Sequence, residues 1–257
     1  FSTSREFSGD GTNRDLYSAQ GISEGNLSEF SLNFHYENGI TSWITLVADL
    51  GYRTLSATYV DLLVRPTDPS RNKTVKASAF SDLWLSGRVK LLKFKTSVGP
   101  LVTGFQGGIK IPTGDATIDI PVGTGYTDAE GLLLADLGFE LFDSDAYLRG
   151  LFGYRARGGG YASQRPYTAE FGIAVARELR LHASFSGVMS GGGFSYPVGM
   201  DENRLITLVG DEAYSQISVG LVFAFSETLS ISFDYFNKIS GKSSMAGDAY
   251  LIGVEFR

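Results

Sequence analysis

Between Thr96 and Leu141 the chain alternates apolar and polar positions twice, on either side of one loop. Leu101, Thr103, Phe105, Gly107, Ile109 and Ile111 share one face of the first stretch, and Val102, Gly104, Gln106, Gly108 and Lys110 share the other. After the loop PTGDATIDIPVGTGYT the alternation resumes. Ala129, Gly131, Leu133, Ala135, Leu137, Phe139 and Leu141 face one way; Asp128, Glu130, Asp136 and Glu140 face the other. Helical spacing would scatter these acids around a surface, whereas strand spacing collects them on one side. The pattern predicts two long antiparallel strands, apolar outside and charged inside, as in the wall of a transmembrane β-barrel.

The same period recurs along the chain. Phe30, Leu32, Phe34 and Tyr36 oppose Ser31, Asn33 and His35; a turn is predicted at Asn38-Gly39, and Ile44, Leu46, Ala48, Leu50 and Tyr52 return on the apolar face. Leu83, Leu85, Gly87, Val89 and Leu91 oppose Asp82, Trp84, Ser86, Arg88 and Lys90, with a turn expected near Lys93. Further apolar rows follow at Leu148 to Tyr154, Tyr167 to Val175, Leu181 to Met189, Ile217 to Phe225, Leu229 to Tyr235 and Tyr250 to Phe256. The expected fold is all-β: one antiparallel, up-and-down transmembrane barrel of about twelve strands over residues 1–257, with the first strand incomplete at the N-terminus. The chain opens at Phe1 with no leader ahead of it, as a mature or trimmed chain would.

Two regularities extend the reading. Short turns are expected near Asn38, Lys93, Ser144, Arg177 and Ser226, and longer connections between them, including Arg53 to Lys76, Arg157 to Arg165 and Gly191 to Glu212. No Asp, Glu, Lys or Arg falls on the outward rows between the strand ends. A charge there would cost about 2 to 4 kcal/mol at the bilayer midplane. A soluble sandwich would instead carry a polar outer face.

Composition narrows the class further. The longest apolar runs are about ten residues, half of what a membrane helix needs. A mean hydropathy of +0.00 is what results when one face meets lipid and the other water. A net charge of -6 argues against nucleic acid as a partner. The absence of cysteine suits an envelope protein.

The stretch IKIPTGDATIDIPVGTGYTD resembles the outer-membrane family named for the meta-pathway of phenol degradation. The matching positions are Lys110, Pro112, Thr113, Gly114 and Asp115, then Gly123 and Gly125. Glu37 to Leu46 resembles that family's turn, with Asn38 in place of its aromatic, and Ser81-Asp82-Leu83 sits where the family tends to have Gly-Asp-Leu. The resemblance implies a Gram-negative outer-membrane barrel, related at a distance to long-chain fatty-acid transporters, that passes small and often apolar or aromatic compounds. It implies contact with membrane lipid and lipopolysaccharide, a small hydrophobic ligand, and no cofactor. Short turns would be periplasmic and long loops extracellular. The other reading is a structural barrel with a sealed lumen whose external loops bind a partner.

The inward rows nominate Asp82, Arg88, Lys110, Glu130, Asp136, Arg149, Arg155, Glu170, Arg180 and His182 as lumen-lining, with opposite signs on neighbouring strands. Such rows either select what passes, as charge rings do in pores, or pair across strands to hold the wall together. Leu132 and Leu134 interrupt the polar row, marking an apolar pocket or a local bulge, or simply packing. The loop stretches Tyr59 to Val64, Ile118 to Val122 and Leu205 to Val209 are expected either to line a mouth or to pack into a cap. Enzymatic chemistry has little support. His182 and Ser184 have the spacing of outer-membrane phospholipases but point inward, with Phe185 rather than Asn after the serine. His35 is the one other histidine, so no zinc cluster is expected. Asp115 and Asp119 lack an EF-hand spacing, and no helix follows PVGTG as a phosphate loop requires.

Overall fold

The computed structural model describes residues 1–7, 10–16, 22–115, 120–191 and 212–256. Its strands are β1 (Ser2–Phe7), β2 (Asn13–Asp15), β3 (Ile22–Gly39), β4 (Ile44–Asp61), β5 (Asn72–Phe80), β6 (Leu83–Lys95) and β7 (Pro100–Ile111). They continue as β8 (Asp128–Leu141), β9 (Ser144–Arg157), β10 (Gln164–Ala174), β11 (Leu179–Ser190), β12 (Ala213–Ala224), β13 (Leu229–Lys242) and β14 (Ser244–Phe256). Each strand from β6 to β14 pairs antiparallel with its sequence neighbour, β4 joins β6 to β3, and β1 bridges β3 and β14. The result is a closed antiparallel barrel of twelve strands, with β2 and β5 off the ring.

The outer surface follows from alternation. Phe30, Phe34, Leu133, Phe152, Val219, Ile252 and Phe256 are among its exposed large apolar side chains, each on the row opposite the charges. Among the described residues no helix is long and apolar enough to cross a membrane.

Pairing depends on where polarity inverts. The lower half of β4, Ile44 to Asp49, pairs with β6, while its upper half, Tyr52 to Val60, pairs with β5. The expected loop from Arg53 to Lys76 is therefore largely a hairpin rising from the wall. Its alternation keeps phase but swaps sides: Leu55 and Ala57, both 0% exposed, share the face of Arg53 and point inward. At the tip, the Asp68 side chain caps a single 3-10 turn (Pro69–Arg71), and the Ser70 N–H it accepts holds its carboxyl below the usual value.

Several turns move for local reasons. Asn38 and Gly39 stay paired in β3, and the chain reverses over residues 40–43, where the Ile40 and Thr41 N–H groups donate to the Ile44 carbonyl. β6 carries a bulge between Lys90 and Leu92 and stays paired through Lys95, so its turn falls at 96–99 instead of near Lys93. β9 begins after two residues with positive φ, Phe142 at 51° and Asp143 at 59°, as a tight primed hairpin turn requires. Only Ser243 separates β13 from β14, so the alternation of short and long connections fails there.

The buried core lies inside the upper barrel. Leu16, Leu27, Leu55, Ala57, Ala77, Ile120, Val122 and Met245 form one cluster, with Phe1, Tyr59, Val75 and Ala79 packed against it. Ile120 and Val122 come from the loop between β7 and β8, which folds into the barrel; Tyr59 and these two residues pack as a cap would, whereas Leu62 and Leu63 of the stretch Tyr59 to Val64 are exposed and do not. Ile118 and Leu205 to Val209 lie outside the described residues.

Candidate lumen site

Register converts the inward rows into cross-strand pairs. Asp128, Glu130 and Asp136 of β8 stand directly opposite Arg157, Arg155 and Arg149 of β9. Arg155 Nη2 lies 2.6 Å from Glu130 Oε2, and Arg149 Nε lies 2.6 Å from Asp136 Oδ1. Arg149 also approaches Glu170 at 4.0 Å, and Tyr147 donates its hydroxyl hydrogen to the same carboxylate at 2.7 Å. Arg88 pairs with Glu37 at 2.9 Å and donates to Gln106. His182 Nε2 sits 2.5 Å from Asp234 Oδ1, in the space left by Gly220, where a Cβ would lie 2.3 Å from that oxygen. Arg180 stacks on the Tyr147 ring at 5.8 Å.

The most buried charges form a node at the base of the inward loop. Lys110 is 5% exposed, and its Nζ lies 2.7 Å from Asp128 Oδ2 and 3.1 Å from Asp82 Oδ2. It also donates to Thr124 Oγ1. Two buried carboxylates around one ammonium satisfy each other only because further donors complete the set. Those donors are loop backbone groups: Gly114 N–H reaches Asp82 Oδ1 at 3.1 Å and Thr124 N–H reaches Oδ2 at 3.2 Å. Thr113 clamps the flank, donating to the Ser81 carbonyl and accepting from Leu83 N–H.

The resemblance-motif residues thus have a packing role. A Cβ on Gly123 would sit 2.5 Å from Asp82 Oδ1 and 2.9 Å from Gly114 Cα, and one on Gly114 would sit 2.8 Å from Gly123 Cα. Glycine lets the two loop arms close around one carboxylate. Gly125 takes a φ of 73°, and Val122 N–H donates to the Asp115 carbonyl. Pro112 follows the end of β7, where no ladder donor is required.

Leu132 and Leu134 cause no bulge, since β8 keeps unbroken register on both sides. Leu132 packs over Gly153, where a Cβ would come 2.4 Å from its Cδ2, and Leu134 lies against Gly104. Ser184 shares its hydrogen bond with Ser218, and His182 faces Asp234, so the pair weighed for hydrolysis is split between two partners. Among the described residues no group of His, Asp and Glu could hold a metal ion.

A cavity of about 540 Å³ occupies the lumen beside the node. Five acids (Glu29, Asp49, Asp82, Asp128, Glu212) and five bases (Arg53, Lys110, Arg155, Arg157, Lys238) line it, with Trp84, Gln164 and Tyr214. Asp82, Lys110 and Arg155 are the sequence candidates that meet here; Arg88, Glu130, Asp136, Arg149, Glu170 and His182 sit in pairs outside its lining, and Arg180 lies outside it on the Tyr147 ring. Arg155 ties the wall together, donating to Gln164 and stacking at 4.8 Å on the Trp84 ring. Arg53 falls in sequence on the inward row of Thr45 and Asp49, and Glu29 on the face of β3 shared by Ser31, Asn33 and His35. Lys238 lies just before a bulge: Gln216 pairs with Lys238 while Ser215 pairs with Ser240, leaving Ile239 extra. The signal that finds it is Phe236 and Lys238 continuing the inner row of Asp234.

Fold and site together define a class: a closed transmembrane-type β-barrel with an apolar exterior and a charged interior. No family model matches the chain, and no curated protein matches it. Among solved structures it is similar to an outer membrane channel from Pseudomonas putida F1. That likeness has a TM-score of 0.59 at 12% identity and covers 99% of this chain and 90% of the other.

Proposed function

We propose that the protein is an outer-membrane channel through which small solutes cross passively, with its short turns periplasmic and its long connections extracellular. The observation that carries this reading is the cavity itself, a water-accessible space inside the wall whose ten charged lining residues balance in sign. A barrel built only as a scaffold fills its interior with side chains. The similar fold of a known channel supports the same reading.

Solute class follows from the lining. The resemblance implies apolar or aromatic compounds, but the apolar surface inside the barrel is consumed by the cluster of Leu16, Leu27, Leu55, Ile120 and Met245. What remains open is mostly polar, with Phe34, His35, Trp84 and Tyr214 as its aromatic rings and Leu50 and Val122 as its aliphatic side chains. The passing solute is therefore small and polar or amphipathic, aromatic acids included. The inward loop favours a second reading, a sealed barrel whose external loops meet a partner.

Liposome swelling separates the two. Vesicles containing the protein should swell in isosmotic small polar solutes at rates that fall with solute size, and hardly at all in solutes larger than the cavity. Swelling no faster than in empty vesicles would favour the sealed barrel.

A further inference from the structure

Among the cations that line the cavity, Arg53 and Lys238 are less closely matched by carboxylates than Lys110 and Arg155. Arg53 forms only a loose ion pair with Glu29: its Nε lies 3.6 Å from Glu29 Oε1, beyond hydrogen-bonding reach, and that atom is buried with no hydrogen-bond acceptor among the described residues. Lys238 enters no ion pair among the described residues; its ammonium lies 4.3 Å from the centroid of the Tyr214 ring. Both side chains line the same cavity, and each lies within electrostatic range of the other. A buried cationic donor without an acceptor is costly, and Arg53 Nε with the Lys238 ammonium on the same polar space is stabilised by an anion between them.

We propose that Arg53 and Lys238 form a carboxylate-binding subsite in the lumen, taking the charged end of a small organic acid. The guanidinium fork suits the planar oxygens of a carboxylate, and Lys238 adds a point charge from β13. Glu29 and Glu212 stand close by and oppose excess negative charge, so the subsite favours a monoanion over a phosphate-like dianion. The cavity volume admits a molecule of benzoate size with water around it. Its biological sense rests on the channel reading, but binding can be measured whether or not the barrel conducts.

Trp84 lines the cavity and Trp43 lies in the turn between β3 and β4, so a Trp43→Phe background leaves one reporter inside. Folded protein in detergent, checked by heat-modifiable gel mobility, is titrated with sodium benzoate at constant ionic strength while Trp84 fluorescence is read. The expected result is a saturable change that Lys238→Gln weakens by about tenfold or more, and Arg53→Met likewise. Benzylamine, of the same shape and opposite charge, should give no saturation. An identical benzoate titration in both variants, no saturable change in the wild-type barrel, or equal binding of benzylamine would overturn the subsite. A silent barrel in the swelling assay that still binds benzoate would leave the subsite standing and remove the channel.

Discussion

At the scale of single residues, the node of Lys110, Asp82 and Asp128 ties the inward loop to the wall. Replacing Lys110 with Met leaves two buried carboxylates facing each other, a loss of about 3 to 5 kcal/mol. The unfolding midpoint in urea should fall accordingly, and adding Asp82→Asn with Asp128→Asn should recover much of it. Gly123→Ala forces a Cβ to within 2.5 Å of Asp82 Oδ1, so the loop must retreat. The expected cost is about 1 to 3 kcal/mol, with the loop becoming cleavable by added protease in folded barrels. The sequence shows these glycines as a motif but not their purpose, because the carboxylate they enclose lies thirty-two residues away from Gly114. The lumen pairs were more legible: period two alone places Glu130 and Asp136 on one face, and register supplies Arg155 and Arg149 opposite.

At the scale of elements, legibility followed the solvent on each side. Where lipid lies outside and water inside, as on β7 to β12, alternation reads directly as strand and face. Where β4 rises beyond the wall to pair with β5 the hydrophobic side turns inward, as at Leu55 and Ala57, and the same alternation looks like loop chemistry. Bulges at Leu91 and Ile239 shift the period by one and mask the faces of the residues beyond them. The two faces of β8 make the distinction measurable. Leu133, 60% exposed near the middle of the strand, should cost about 2 to 4 kcal/mol when changed to Arg. Equilibrium unfolding in lipid vesicles reads that loss, and Leu133→Val should shift it little. The turn before β9 offers the opposite test. Phe142 and Asp143 both adopt positive φ, so Phe142→Asn with Asp143→Gly should raise stability by about 0.5 kcal/mol or more.

At the scale of the whole molecule, a barrel of twelve strands lies between small filled barrels and the open porins, so its interior is decided by what fills it. Here a folded loop and an apolar cluster occupy the upper lumen, while a balanced set of charges surrounds the open part. Balance makes ion preference sensitive to single substitutions, since removing one arginine leaves its acid partner unopposed. The direct test is single-channel conductance in planar bilayers, comparing the wild-type protein with an Arg149→Ala, Arg155→Ala variant. Loss of these cations frees Asp136 and Glu130, so steady wild-type conductance should persist and its reversal potential should shift towards cation preference. Silence in both proteins, or conductance with an unchanged reversal potential, would contradict a water-filled path along these residues.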